Sequence, residues 1–417
     1  IPLAALSVYR GASKGSRVGC DMQHVWLSGL LTSKGENPYR VYLEDPHLIR
    51  ALTPPDADPK GSCPVPLEER PPFNAPLLAV MAIPLGLLEL HTARQVWMGV
   101  QIVCAVALPL VMLRLNLKLP GWGLQLVYVL LFLAWASTRA ALSAGQNPII
   151  MALPAFLAVW LTYRERPFWA GILMGIALSK YTLTGALLLF FLLYRHYKVA
   201  LIAVGMQVLG ILAMALFVRE SPVEIVQTYL RLLQWVLGQV IGVVSLDHWL
   251  EAIGFTKQTA AILAMALGIA VTAALVIPCY SREALGAERI ASQTPTYKRT
   301  KANLLILISL WIGLLSVYHR HYDMPILFLL ITFVTGLDFH SELSPAQKRM
   351  YSGLILAAGL IVAAMMLPPR FMGLFVADGD LVVVVVNAIA LVISLGIMLW
   401  VLHRFDTFIP QGQPTES

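Results

Sequence analysis

Between two apolar runs, the stretch "SVYHRHYDMPIL" at residues 316–327 gathers His319, Arg320, His321 and Asp323 within five positions. An ionisable group at membrane depth costs at least about 2 to 3 kcal/mol unless it is paired or wetted. In a chain that is 58% hydrophobic and 13% charged, one member of such a knot could face lipid headgroups while the others face inward, and four polar groups in five residues exceed what an interfacial anchor needs. Asp323 alone could cap the following helix or pair with Arg320. Lys180 interrupts two apolar half-helices. It either snorkels to the interface or, turned into a cavity, attracts an anionic group such as a lipid phosphate. Asp21 heads "GCDMQHVWLSGLLTSKGENPYR", immediately before an apolar helical pattern. It reads as an N-cap, as a carboxylate at a cavity mouth that takes a proton from a hydroxyl, or as both. Gln146 and Asn147 stand at a helix start before Pro148, where an ordinary cap is the stronger reading of Asn147 taken alone.

These residues have to be held by membrane helices. Mean hydropathy is +0.73, and apolar runs recur along the chain, because backbone exposed to lipid must satisfy its own hydrogen bonds. The net charge of +7 sits in short loops such as 195–198 and 298–301, so the partner it implies is the bilayer, not nucleic acid. Four cysteines at 20, 63, 104 and 279 show no metal-ligand spacing, so no metal or other cofactor is expected. Cys20 and Cys63 share one polar loop, where an oxidising compartment permits a disulfide, although spacing leaves their approach open.

Hydropathy gives spans at 95–113, 124–142, 147–163, 168–180, 181–194, 199–217, 258–278, 302–318, 323–338, 350–367 and 382–402, with residues 1–9 as the tail of a first span. The basic loops at 114–118, 164–166, 195–198, 282–301 and 348–349 then share one side, the cytoplasmic one. Residues 10–74, 145–147, 219–257 and 319–323 fall on the other side. The run 75–90 contains Pro84 and follows Pro71 and Pro72, which suits a re-entrant or interfacial helix. The run 222–243 suits a helix lying on the membrane surface. Trp122 and Trp169 read as interface anchors. The junction at Ser179, Lys180 and Tyr181, flanked by two short spans, should lie below the membrane surface.

The motifs in their order resemble glycosyltransferase family 87. They are Asp21 followed by Gly35-x-Asn37-Pro38-Tyr39, Arg70-Pro71-Pro72-Phe73 before a proline-broken apolar run, "GQNPIIMALPAFLAVWLTYRERPFWAGILMGIALSKYTLTGALLLFFLL", and "YHRHYDMPIL". The resemblance covers residues 20–335. It implies an all-α, polytopic bundle of the GT-C type, with about 12 transmembrane helices, the first only partly present, and extracytoplasmic juxtamembrane helices. The whole chain, 1–417, is one such domain, with 10–74 as the catalytic loop and 219–257 as a second extracytoplasmic segment.

The implied activity moves a sugar, mannose as the first guess, with inversion from a polyprenyl-phosphate donor to a lipid- or glycan-linked acceptor. The implied place is the outer face of a bacterial cytoplasmic membrane. Asp21 carries over as catalytic base, Lys180 as a phosphate contact, and His319 or His321 as a group near the donor phosphate or acceptor. An insert at 45–69 departs from the family pattern and bears on the acceptor site. The competing class is a secondary transporter with a charged substrate or proton path, against which stands the absence of an inverted repeat. A scaffold without chemistry would leave Asp21 and Lys180 unexplained.

Overall fold

The computed structural model describes residues 2–316 apart from 56, 58–62, 64–66, 68–71, 73, 116–120, 240–245, 253 and 286–294, together with isolated positions 393 and 396. The regular structure of these residues is helical, as lipid-facing backbone requires. The membrane-embedded body is built from α7 (Leu90–Arg114), α8 (Trp122–Ala134), α9 (Ala136–Ala144), α10 (Pro148–Tyr163), α11 (Pro167–Ala177), α12 (Tyr181–Leu193), α13 (Tyr197–Val218), α16 (Lys257–Leu285) and α17 (Pro295–Ser316), flanked by α1 (Pro2–Arg17). Short helices cluster at one end of it: α2 (Met22–Ser33), α3 (Pro38–Glu44), α4 (Pro46–Leu52), α5 (Pro76–Met81) and α6 (Ile83–Gly86), with α14 (Pro222–Gln239) and α15 (Leu246–Ala252). Proline at the first turn starts α3, α4, α5, α10 and α11, a position where its missing N–H costs nothing.

Four helical stretches among the described residues have the length and apolarity of a membrane crossing: Leu90–Arg114, Pro167–Leu193, Tyr197–Val218 and Lys257–Ala274. The second does not cross in a single pass, because its chain turns back on itself. A Cβ on Gly171 would touch Ile202, and one on Gly175 would touch Met206, so α11 and α13 run side by side in the same direction. A straight helix would carry Leu193 about 33 Å beyond Gly171, whereas the four residues from there to Tyr197 reach about 14 Å. Helix α12 must therefore return, and the reversal falls at the 3-10 turn Leu178–Lys180. The two short helices expected around that junction are α11 and α12.

The turn is sunk below the C-terminal end of α13. Ala75 N–H donates to the Ser179 carbonyl at 3.2 Å, and Leu77 of the same α5 segment packs on Gly210. From residue 210 to the end of α13 at Val218 is about 12 Å of helix.

The opposite ends of the helices share a face. Asn303 donates to the Leu115 carbonyl at 3.1 Å and accepts from the Tyr163 hydroxyl at 2.7 Å. It ties the end of α7, the end of α10 and the start of α17 together beside the basic positions 114, 164–166 and 298–301. The start of α13, with residues 195–198, joins them through its contact with α11.

Two expectations are corrected. The polar loop expected from residue 10 begins as helix, since α1 continues through Arg17; its Gly11 and Gly15 lie against Leu142 of α9. The span expected at 124–142 is two helices bent by 56°, because Trp135 adopts an extended ψ of 135° with its indole fully buried. The surface helix expected at 222–243 is described as Pro222–Gln239. The run 75–90 is two short helices, α5 and α6, broken around Ala82. They lie on α2, where a Cβ on Gly29 would sit 2.2 Å from the Ala82 carbonyl. The spans expected at 323–338, 350–367 and 382–402, and the cluster His319, Arg320, His321 and Asp323, lie outside the described residues, apart from the isolated positions 393 and 396.

The hairpin has a directional consequence. Single cysteines at Glu165 and Arg195 should both react, or both stay unreacted, with an impermeant thiol reagent added to sealed vesicles, while one at Lys34 behaves oppositely. A straight crossing at 167–193 would split the first two.

Candidate active site

The chain brings Asp21, Gln146 and Lys180 together from three separate elements. Asp21 sits at the head of α2, but its side chain makes no cap hydrogen bond to that helix. Its carboxylate instead accepts from Gln146 Nε2, at 2.5 Å from Oδ2. The other end of the same amide, Oε1, accepts from Lys180 Nζ at 3.4 Å. The amide is thus oriented by charge, donor toward the carboxylate and carbonyl toward the ammonium. Lys180 is 6% exposed, so the snorkelling reading does not hold.

Gln146 is held from behind. Its backbone carbonyl accepts from Gln101 Nε2, and the Gly145 carbonyl accepts from Trp97 Nε1 at 2.8 Å. Gly145 closes α9 in the left-handed region at φ 70°, where glycine avoids the steric cost of a Cβ. A Cβ there would also lie 2.9 Å from that of Met22. Asp21 N–H donates to the Ala144 carbonyl at 2.9 Å, so the segment before α2 and the end of α9 are registered by backbone.

Asn147 does not cap α10 with its side chain. Its amide donates to Asn74 Oδ1 at 3.0 Å, and the Asn74 carbonyl accepts from the Tyr39 hydroxyl at 2.9 Å. Burial, reinforced by Tyr181, pushes the Tyr39 phenol well above its ordinary range, so it remains a neutral donor. Asn37 caps α3 through Tyr39 N–H and Arg40 N–H and donates to Glu220 Oε2 at 2.7 Å. Glu220 also pairs with Arg40 at 3.0 Å, which clamps α3 to the end of α13.

A small pocket opens among Asp21, His24, Pro72, Asn74, Gln146 and Asn147. Its cavity of about 20 Å³ has room for a hydroxyl group or a water but not for a sugar ring. His24 and Asn74 escaped the sequence reading. His24 was within reach of it, since a residue three positions after Asp21 shares its helical face. Nothing in the sequence separates Asn74 from other loop asparagines. No group of three or more His, Cys, Asp or Glu among the described residues could hold a metal ion.

Cys20, next to Asp21, is disulfide-bonded to Cys63, 43 residues on. Gln23 Nε2 donates to the Ala57 carbonyl at 2.7 Å, and the buried Arg94 donates to the same oxygen. The loop after α4 is thereby fixed to the base of α2. Closing a loop of this length contributes about 4 kcal/mol through the unfolded chain.

A family model described as Glycosyltransferase family 87 matches residues 73–293, more than half of the 417 residues. Asn74, Gln146, Asn147 and Lys180 fall inside that match, while Asp21 and His24 precede it. No curated protein and no solved structure matches the chain.

In non-reduced, denatured protein, Cys20 and Cys63 should resist alkylation and Cys104, a free thiol, should not. Quantitative labelling of all three by mass spectrometry would remove the disulfide.

Proposed function

The chain belongs to glycosyltransferase family 87, and from this premise we propose that it transfers a sugar from a polyprenyl-phosphate donor to an acceptor hydroxyl on the extracytoplasmic side, with Asp21 as the base. The transporter reading gives way to that membership. The observation that carries the site assignment is the Gln146 amide, which joins a carboxylate to a buried ammonium within one side chain's length.

Transfer with inversion needs two things of the protein. A base takes the acceptor proton as its oxygen attacks the anomeric carbon, and cations stabilise the phosphate that departs with the bonding electrons. The leaving group already carries charge, so a second carboxyl to protonate it is unnecessary, in contrast to glycosidases. Asp21 lines the pocket, whose size suits an entering hydroxyl. Lys180, at the sunken turn, supplies the cation. Beside it, the Ser179 hydroxyl is buried with no hydrogen-bond partner among the described residues, a group that a phosphate oxygen would satisfy. His319, Arg320, His321 and Asp323 are proposed as further donor-phosphate or acceptor contacts, and Gln146 and Asn147 as residues of the same set that hold the base and the pocket wall.

Two observations support the side. The shared basic face opposite Asp21 is the cytoplasmic one by the positive-inside rule, and the Cys20–Cys63 disulfide suits an oxidising compartment. Mannose as the sugar, a lipid- or glycan-linked acceptor, a bacterial cytoplasmic membrane, the full set of about 12 spans and the catalytic role of the 10–74 segment complete the proposal.

Asp21→Asn should fold normally and lower turnover from a radiolabelled polyprenyl-phosphate sugar by about two to four orders of magnitude. Lys180→Ala should raise the donor KM as well as lower kcat. Wild-type transfer by the Asp21→Asn protein would show that the base lies elsewhere.

A further inference from the structure

The Asp21 carboxylate has two oxygens in different surroundings. Oδ2 is engaged by Gln146 at 2.5 Å. Oδ1 faces His24, whose Nε2 stands 3.8 Å away, beyond hydrogen-bond range. A water placed between them, donating one hydrogen to Oδ1 and the other to an unprotonated Nε2, would bridge that gap. His24 is 6% exposed, and both residues line the pocket. Among the described residues, the remaining groups in its wall, Val25, Pro72, Asn74, Gln146 and Asn147, carry no charge. The cation of the neighbouring hairpin, Lys180, is met by the carbonyl end of the Gln146 amide, the end opposite the one that holds Asp21.

We propose that His24 is the positioning residue of the base and the acceptor of its proton after transfer. The inference rests on Asp21 acting as base. The acceptor O–H proton passes to Asp21 Oδ1 while the new glycosidic C–O bond forms. The anomeric C–O bond to phosphate breaks in the same step, and its electron pair leaves with the phosphate. A water that fills the gap then relays the proton from the Asp21 carboxyl to the neutral His24 Nε2, and the imidazolium releases it to water at the pocket mouth. A carboxylate restored in this way is ready for the next acceptor. When His24 is already protonated it cannot take the proton, and as a cation beside Oδ1 it weakens the base. Activity must then fall as pH falls through the titration of this pair.

The test is the pH profile of kcat at saturating donor and acceptor, for the wild-type protein and for His24→Gln. The wild type should lose activity on an acid limb within roughly pH 5 to 8, the window in which histidine changes charge. His24→Gln should lose about tenfold in kcat at neutral pH and keep both KM values within about twofold. Its acid limb should move below about pH 5, toward the carboxylate range. An unchanged limb and kcat in His24→Gln would overturn the proposal, as would parallel losses in kcat and KM with the limb in place. Should His24→Gln not fold, the wild-type profile still decides, since a flat kcat from pH 5 to 8 overturns it alone. A normal His24→Gln profile beside an inactive Asp21→Asn protein would defeat this inference and leave the function standing, whereas an active Asp21→Asn protein would defeat both.

Discussion

One amide separates the two charges that the apolar body must keep. Burying an ammonium is expensive unless it finds a partner of suitable polarity, and Gln146 provides one for Lys180 through its C=O while its N–H holds the partly exposed Asp21 carboxylate. Much of the surrounding architecture serves to aim that side chain. Gly145 in the left-handed region turns the chain so that Gln146 and Asn147 leave α9 in the direction of the pocket, and Trp97 and Gln101 of α7 hold the turn's carbonyls. The hairpin of α11 and α12 brings Lys180 up from the opposite face to meet it.

The rest of the outer end closes around the same point. Helix α2 is seated on α5 and α6 by the close approach of Gly29 and Ala82, its first turn is bonded to Ala144, and the disulfide stitches the loop after α4 to the residue before Asp21. Tyr39 of α3 reaches Asn74, and Asn74 reaches Asn147, so the pocket wall is continuous with the clamp between Arg40 and Glu220. Four segments distant in sequence therefore share one polar network. Such networks are rigid only when their members are satisfied.

Hydropathy and loop charge made the membrane class, the helix order and the common basic face legible, because lipid and the charge rule act on every residue of a span. The reversal at Ser179 and Lys180 was legible too, since one lysine between two short apolar runs has few physical explanations. What the sequence concealed depends on side-chain choice among competing partners. Asn147 and Asp21 both occupy cap positions, and composition favours capping; in the folded chain each spends its side chain on a tertiary contact instead, with Asn74 and Gln146. The bend at Trp135 carries no glycine or proline to announce it. Cys20 and Cys63 announced a compartment but not a distance. The motifs carried a family resemblance from Asp21 onward, whereas the family match itself covers residues 73–293, so the role of Asp21 rests on its geometry.

If Asp21 and Lys180 serve one transition state across the Gln146 amide, their contributions cannot be independent. The decisive measurement is a double-mutant cycle on kcat/KM for sugar transfer, with Asp21→Asn, Lys180→Met and the combined variant. The account predicts that the double variant is much less impaired than the product of the two single losses, with a coupling of at least about 1 kcal/mol. Strict additivity, or a Lys180→Met protein with wild-type kcat/KM, would contradict it.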